Sequence, residues 1–383
     1  MKSKKNDFGL YIHIPFCSKI CHYCDFSKTS KWDSSLVKSY FHVIEKELFL
    51  WREKYLKPNQ ISLSSVYLGG GTPGLFAQEY KKIAAYLENI LQSDYEFTIE
   101  ANPEDFDEKK LLIWKGLGIN RVSLGIQTFN TNGLKFLTRA HTAKKSLESI
   151  EILQKHSFNY STDFIYGWKG QSLEDWQRDL DTIASIRPPH LSLYSLTYEP
   201  GTPIGRAQLR GKLESKDDNF YTDCYELSCG FLRQLNYVHE EVSNWSQKGK
   251  FARHNSLYWK NNFFLALGSG ASAYLPLESS KIGLRYSTSK NLRVFLRQKP
   301  TDLSSFDKDI FKKNNQSLFI DDRCVDIWLL EYLGSSLRSM YGVDLSLILK
   351  ICNKNFKPNN IISSALSEKK MTLDQDRIHL SPA

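Results

Sequence analysis

The chain has 383 residues, 41% hydrophobic and 24% charged, with 12 Pro and 21 Gly, which excludes a disordered, collagenous or coiled-coil protein and suggests two domains. Lys+Arg 51 against Asp+Glu 42 gives +9, a basic surplus that suits anionic partners in general without choosing among phosphate, carboxylate or an acidic membrane surface. The least polar stretch, 263–277, is too short and too interrupted to span a bilayer, and no apolar run follows the basic start to make a secretory signal, so the chain is expected in a reducing cytoplasm.

Short apolar runs alternate with amphipathic ones through the first half. Strands are predicted at 9–14, 63–68, 95–99, 121–126, 160–165 and 191–196. Helices are predicted at 36–54, 78–91, 108–117, 144–156 and 173–186, where apolar residues recur at steps of three and four. Repeated strand–helix units build a parallel sheet, because each return to the next strand needs a crossover. Polar groups fall near the exits of successive strands: Gly69 to Thr72, Glu100, Gln127 and Asp163. That distribution favours a partial (β/α)6 barrel over a doubly wound sheet, which would gather its functional groups at one switch point. The barrel is expected to occupy 1–235, ending on a helix at 216–235. A mixed β and loop extension follows at 236–300. Residues 301–315 have the character of a linker, and a small, mainly helical C-terminal domain spans 316–383, its best helix at 325–340.

Three of the seven cysteines crowd into Cys17-Ser-Lys-Ile-Cys21-His-Tyr-Cys24, directly after the first strand. In a reducing compartment such clustering points to metal or redox chemistry rather than cross-linking. A closed zinc site needs a fourth ligand, for which His22, Asp25 or His13 are awkwardly placed. A [4Fe–4S] cube held by three thiolates leaves one iron open, so three is then a functional number. Zinc remains the rival reading.

The run Tyr11-Ile-His13-Ile-Pro15-Phe16-Cys17, with the triplet and Asp25-Phe26, resembles the radical S-adenosylmethionine (SAM) superfamily, in its coproporphyrinogen-dehydrogenase-like branch. Five further motifs match that branch in order: Leu68-Gly69-Gly70-Gly71-Thr72-Pro73; Thr98-Ile99-Glu100-Ala101-Asn102-Pro103; Ser123-Leu124-Gly125-Ile126-Gln127-Thr128-Phe129; Arg139 with His141; and Asp163-Phe-Ile-Tyr166-Gly167. The resemblance implies that Cys17, Cys21 and Cys24 hold a cluster whose open iron binds SAM, and that Tyr11, Gly70 and Glu100 contact this SAM. It further implies that Tyr23, Gly71, Thr72, Gln127, Arg139 and Asp163 stand where the dehydrogenase holds a second SAM.

Within the branch, Phe26 replaces a cysteine usual in the dehydrogenase, and Cys17 lies near the start of the chain. Both features resemble the HemW-type haem chaperones, as does Arg253-His254-Asn255-Ser256-Leu257-Tyr258-Trp259, which matches their HNxxYW motif. The likeness implies haem as a ligand, with His254, Tyr258 and Trp259 as candidate contacts, and haem proteins such as respiratory enzymes as clients. No nucleic acid partner is expected. Peripheral contact with the inner face of a membrane is a further expectation, for which only the basic surplus speaks. The alternative is a catalytic coproporphyrinogen III dehydrogenase. Two departures stand out: Ser272 replaces a histidine of the glycine-rich segment, and Trp168 follows Tyr166-Gly167 where relatives have Leu-Pro.

Overall fold

The computed structural model describes residues 7–277, 280–305, 308–321, 324–352, 364, 367–368, 370–374 and 377–380. Six parallel strands, β1 (Gly9–Ile14), β2 (Leu63–Gly70), β3 (Leu91–Ala101), β4 (Arg121–Gln127), β5 (Asn159–Tyr166) and β6 (His190–Ser195), lie side by side in chain order. Crossovers between them carry α1 (Ser34–Trp51), α2 (Lys81–Leu87), α3 (Glu108–Gly116), α4 (Thr131–Phe136), α5 (Ala143–Lys155) and α6 (Leu173–Ile186). An unbroken order with no reversal is barrel topology, as the strand-end pattern anticipated.

Each strand alternates. Leu10, Ile12 and Ile14 of β1, Val66 and Leu68 of β2, and Val122, Leu124 and Ile126 of β4 join the main apolar core. Their neighbours Tyr11, His13, Tyr67, Glu100, Ser123, Gln127 and Asp163 face the barrel interior, where they line a cavity. A period of two thus separates a greasy outer face from a polar inner one. Helix α1 completes the outer layer with Val37, Tyr40, Phe41, Ile44, Leu48 and Trp51, buried at helical spacing, and Asp33 caps its start by accepting from Leu36 N at 2.8 Å.

The predicted helix at 78–91 is shorter in the structure. It stops at Leu87, Asn89 takes a left-handed φ of 68°, and Leu91 already opens β3. Beyond the barrel come α7 (Pro203–Leu209) and α8 (Asp218–Gln234). Segment 236–300 divides between both ends of the sheet. Strands β7 (Val238–Glu241) and β8 (Asn244–Ser246) extend it past β6. After α9 (Arg253–Trp259), β9 (Phe264–Leu267) runs parallel to β1, and β10 (Ser272–Leu277) and β11 (Ser280–Ser287) continue outward as an antiparallel pair. Helix α10 (Leu292–Arg297) follows, then the stretch expected as a linker. It contains α11 (Lys308–Asn314), whose Phe311 is fully buried in the main core. Strand β12 (Phe319–Asp321), within the expected C-terminal module, closes the far edge of the barrel sheet.

The remaining described residues form a small unit of α12 (Val325–Leu337), β13 (Val343–Asp344), α13 (Leu345–Cys352), β14 (Met371–Asp374) and β15 (Arg377–Leu380). Trp328, Tyr332, Val343, Ile348 and Ile378 make its core and pack with Ile282 of β11. No described helix is long and apolar enough to cross a membrane.

Candidate functional site

A cavity of about 890 Å3 opens at the carboxyl ends of β1 to β6, lined by residues from every one of those strands. Such a volume lies at the upper end of ligand pockets.

The cysteine loop forms one wall. It leaves β1 and is pinned by Cys17 N donating to Thr29 O at 3.0 Å, Thr29 N to Pro15 O at 2.7 Å, and Trp32 Nε1 to Cys17 O at 2.8 Å. Cys17, Cys21 and Cys24 are unpaired thiols, and all three line the cavity. Burial pushes the Cys17 thiol up to about 11 and raises Cys24 too, and the neighbouring sulfurs of the triplet add to both shifts. Among the described residues no three His, Cys, Asp or Glu side chains are grouped to hold one metal ion. A mononuclear zinc site would need sulfurs within about 4 Å of each other. A cube takes its thiolates one per iron, at separate corners, and the three cavity-lining thiols can fill three of them.

Glycines let the loop approach the second strand. A Cβ on Gly71 would lie 2.8 Å from Phe16 O and 3.0 Å from Cys17 Sγ, and Gly71 N donates to Ile14 O at 2.8 Å. Gly70 has φ +119°, and a Cβ there would meet the His13 ring at 2.5 Å. That ring is itself fixed by Tyr11 Oη at 2.9 Å and Ser27 O at 2.7 Å. The glycine run was expected to admit a charged ligand; in the fold it first admits the cysteine loop and an imidazole.

Glu100 sits opposite. Its Oε2 accepts from Gly70 N at 2.8 Å and its Oε1 from Tyr67 Oη at 2.9 Å. Burial raises the carboxyl to about 7, with Asp163 adding to the rise. Tyr67 has no motif of its own in the sequence, but it stands two residues before Gly69, on the inward face of β2. Asp163 accepts from Ser123 Oγ at 3.0 Å, and burial raises its carboxyl. Gln127 holds φ +69° beside a register shift between β4 and β5, which turns it onto the cavity wall.

Arg139 Nη1 donates to Cys21 Sγ at 3.3 Å, and Nη2 donates to Gly125 O at 3.1 Å and also to Asn102 Oδ1. Tyr23, beside it on the loop, lines the cavity, and burial raises its phenol. Thr72 also lines the cavity and accepts from Asn102 Nδ2 at 3.3 Å. Asn102 thus bridges two expected site residues, a role its place beside Glu100 in one motif hints at. His141 lies apart, bonded to Glu104 Oε2 at 2.8 Å and Ile126 O at 3.1 Å.

The three residues expected to contact haem separate. The carboxylate of Glu96 accepts from the backbone N of Arg253 at 2.9 Å and of His254 at 3.0 Å, fixing the start of α9. His254 is 1% exposed, stacked on Tyr67 at 5.2 Å, and does not line the cavity. Both its ring nitrogens have protein partners, Nδ1 with Ser65 Oγ at 2.8 Å and Nε2 with Tyr258 Oη at 2.9 Å. Burial, assisted by Arg121, pushes it down to about 3, so it is neutral. Tyr258 is 40% exposed and does line the cavity, its ring edge-on to Phe264 at 4.8 Å. Trp259 is half-buried and does not line it. Ser272 reaches the cavity rim and bonds Ser287 Oγ at 2.6 Å, while Trp168 is buried in a satellite core beneath α4. Phe26, next to the triplet, is 65% exposed at the mouth.

Residues 11–183 match the family model of the Radical SAM superfamily. The chain is 32% identical over 381 residues to the heme chaperone HemW of Lactococcus lactis, covering 97% of this chain and 92% of that one. It is 35% identical over 270 residues to the heme chaperone HemW of Bacillus subtilis, covering 69% and 70%. The structure superposes on coproporphyrinogen III oxidase (HemN) of Escherichia coli, a radical SAM enzyme, with TM-score 0.75 at 19% identity, covering 98% of this chain and 87% of that one, a likeness of fold.

Proposed function

The chain belongs to the HemW family of the radical SAM superfamily, and from that premise we propose that it is a haem chaperone, binding haem and passing it to client haem proteins. The observation that carries this is the likeness to the Lactococcus lactis chaperone over nearly the whole of both chains. Membership in the superfamily implies a [4Fe–4S] cluster and SAM. Cys17, Cys21 and Cys24 hold the cluster, and Arg139 donates to the Cys21 sulfur, a hydrogen bond that orients the ligand and stabilises its thiolate. When bound, cluster and SAM together supply one-electron cleavage of a sulfonium. Glu100, with both oxygens already ordered by Gly70 and Tyr67, receives the SAM ammonium. Tyr11 flanks it, tied to His13. Gln127, Arg139 and Asp163 form the wall beyond, where Tyr23, Gly71 and Thr72 complete the second set of polar contacts. The protein works in the cytoplasm, and its basic surplus draws it to the anionic inner face of a membrane where respiratory clients reside.

Titration of the cluster-loaded protein with hemin tests the reading. A saturable Soret change is expected, and a flat titration overturns the chaperone role. In parallel, SAM, a reductant and coproporphyrinogen III should give no protoporphyrinogen. Sustained turnover would instead assign the dehydrogenase.

A further inference from the structure

The turn that follows α4 reaches back to the cysteine loop. Thr138, two residues past the helix, takes a left-handed φ of 58°, which a β-branched residue adopts only under strain. Its Oγ1 accepts from the backbone N of His22 at 3.2 Å, and the backbone O of His22 is gripped from the other side by Ile204 N, also at 3.2 Å. The next residue, Arg139, brings Nη1 to Cys21 Sγ at 3.3 Å. Two consecutive residues, one of them strained, thus hold two consecutive positions of the loop.

The guanidinium is fixed as well as close. Its Nη2 donates to Gly125 O at 3.1 Å and to Asn102 Oδ1. Asn102 is anchored in turn, donating to Thr72 Oγ1 and to Asp105 Oδ2, each at 3.3 Å. The hydrogen-bond partners of Arg139 are therefore two neutral oxygens and one sulfur. A guanidinium keeps its charge at any working pH. Of its three partners, only the Cys21 sulfur becomes an anion, and it does so by ligating iron.

Resting on the cluster assignment above and not on the haem-binding role, we propose that Arg139 is a positioning residue that sets the reduction potential of the cluster, making it easier to reduce through the hydrogen bond to Cys21. Reduction adds one electron from an external one-electron donor, which is oxidised as one ferric ion of the cluster becomes ferrous; no bond breaks. The added negative charge spreads over the sulfurs, so a cation held against one of them favours the reduced state over the oxidised one. Net charge and hydrogen bonds to sulfur are the protein's means of moving such a potential. The strained turn at Thr138 and the Asn102 anchor keep the cation at this distance. A lysine would carry the same charge, but it lacks the planar fork that binds Gly125 O, Asn102 and the sulfur together.

The experiment is a redox titration followed by EPR on the anaerobically reconstituted full chain and its variants, without SAM, with iron content measured on each. Arg139→Gln should keep its iron. At a fixed potential its ratio of reduced to oxidised cluster should be at least about tenfold lower, a downward shift of about 59 mV for one electron. Arg139→Lys should recover part of that loss. A second measurement needs no variant to fold: wild type labelled with 15N-arginine should show nitrogen hyperfine coupling to the reduced cluster in pulsed EPR, because Arg139 is the arginine that lines the cavity. Variants that hold full iron at the wild-type potential, or a labelled wild type without coupling, overturn the proposal while the cluster stands. A wild type that takes up no iron removes the cluster assignment itself, and hemin titration reports on the chaperone role separately.

Discussion

The Tyr67 hydroxyl donates to Oε1 of Glu100 over 2.9 Å, reaching from one strand to the next toward the carboxylate whose other oxygen Gly70 N–H holds. This hydrogen bond favours the charged form of a group that burial pushes up to about 7. Tyr67→Phe therefore raises that value further and leaves less carboxylate for an ammonium. SAM affinity measured by calorimetry at pH 7 should drop about tenfold or more, one hydrogen bond to a charged group being worth about 1.5–3 kcal/mol. In wild type, affinity should fall as pH is lowered through about 7, because the folded carboxyl takes up its proton there.

Iron content responds to single thiols. Anaerobically reconstituted protein should hold about four irons per chain, and Cys17→Ser, Cys21→Ser or Cys24→Ser should each lose most of them. Stoichiometric zinc with no iron uptake would reinstate the zinc site.

Gly70→Ala should be costly for two reasons at once: a positive φ and a Cβ 2.5 Å from a ring that two hydrogen bonds prevent from moving. A loss of about 1–3 kcal/mol is expected in urea unfolding. SAM binding should suffer too, since Gly70 N–H is a partner of Glu100.

His254 supplies a pH signature. Its pKa is pushed down to about 3 by burial and Arg121, against about 6.5 when unfolded, so the unfolded chain binds the extra proton first on acidification. Stability is complete above about 6.5 and declines as pH falls below it. His254→Gln should lose less between pH 7 and 5 than wild type. Comparing the two slopes cancels the opposing contribution of raised carboxyls such as Glu240. Equal slopes would mean that the imidazole is solvated.

Phe311→Ala should cost about 3–5 kcal/mol, as for other buried Phe truncations. A change below about 0.5 kcal/mol would return 308–314 to the status of a linker.

The barrel was legible because its strands are short apolar runs with strong helices between them. The run 9–14 coincides with β1, and the helix expected at 216–235 appears as Asp218–Gln234. The charged stretch 301–315 concealed its helix, since a seven-residue segment anchored by one Phe311 carries no measurable periodicity. Ile90 and Leu91 misled in the opposite way, continuing a helical spacing into what the left-handed turn at Asn89 makes a strand. At the site, cysteine spacing and glycine runs are local signals, and those residues do gather around one cavity. The burial of His254 is not local: its partner Ser65 is 189 positions away, and only the fold brings them together.

Because β9 at Phe264–Leu267 runs alongside β1, the first strand of the barrel is flanked on that side by backbone made long afterwards. During synthesis the cysteine loop therefore emerges early on a strand whose second hydrogen-bonding edge stays bare until roughly two-thirds of the chain has left the ribosome. Iron loading that depends on a settled loop must wait for that late strand, and a nascent fragment stopped short of it would present an open sheet margin to chaperones and proteases.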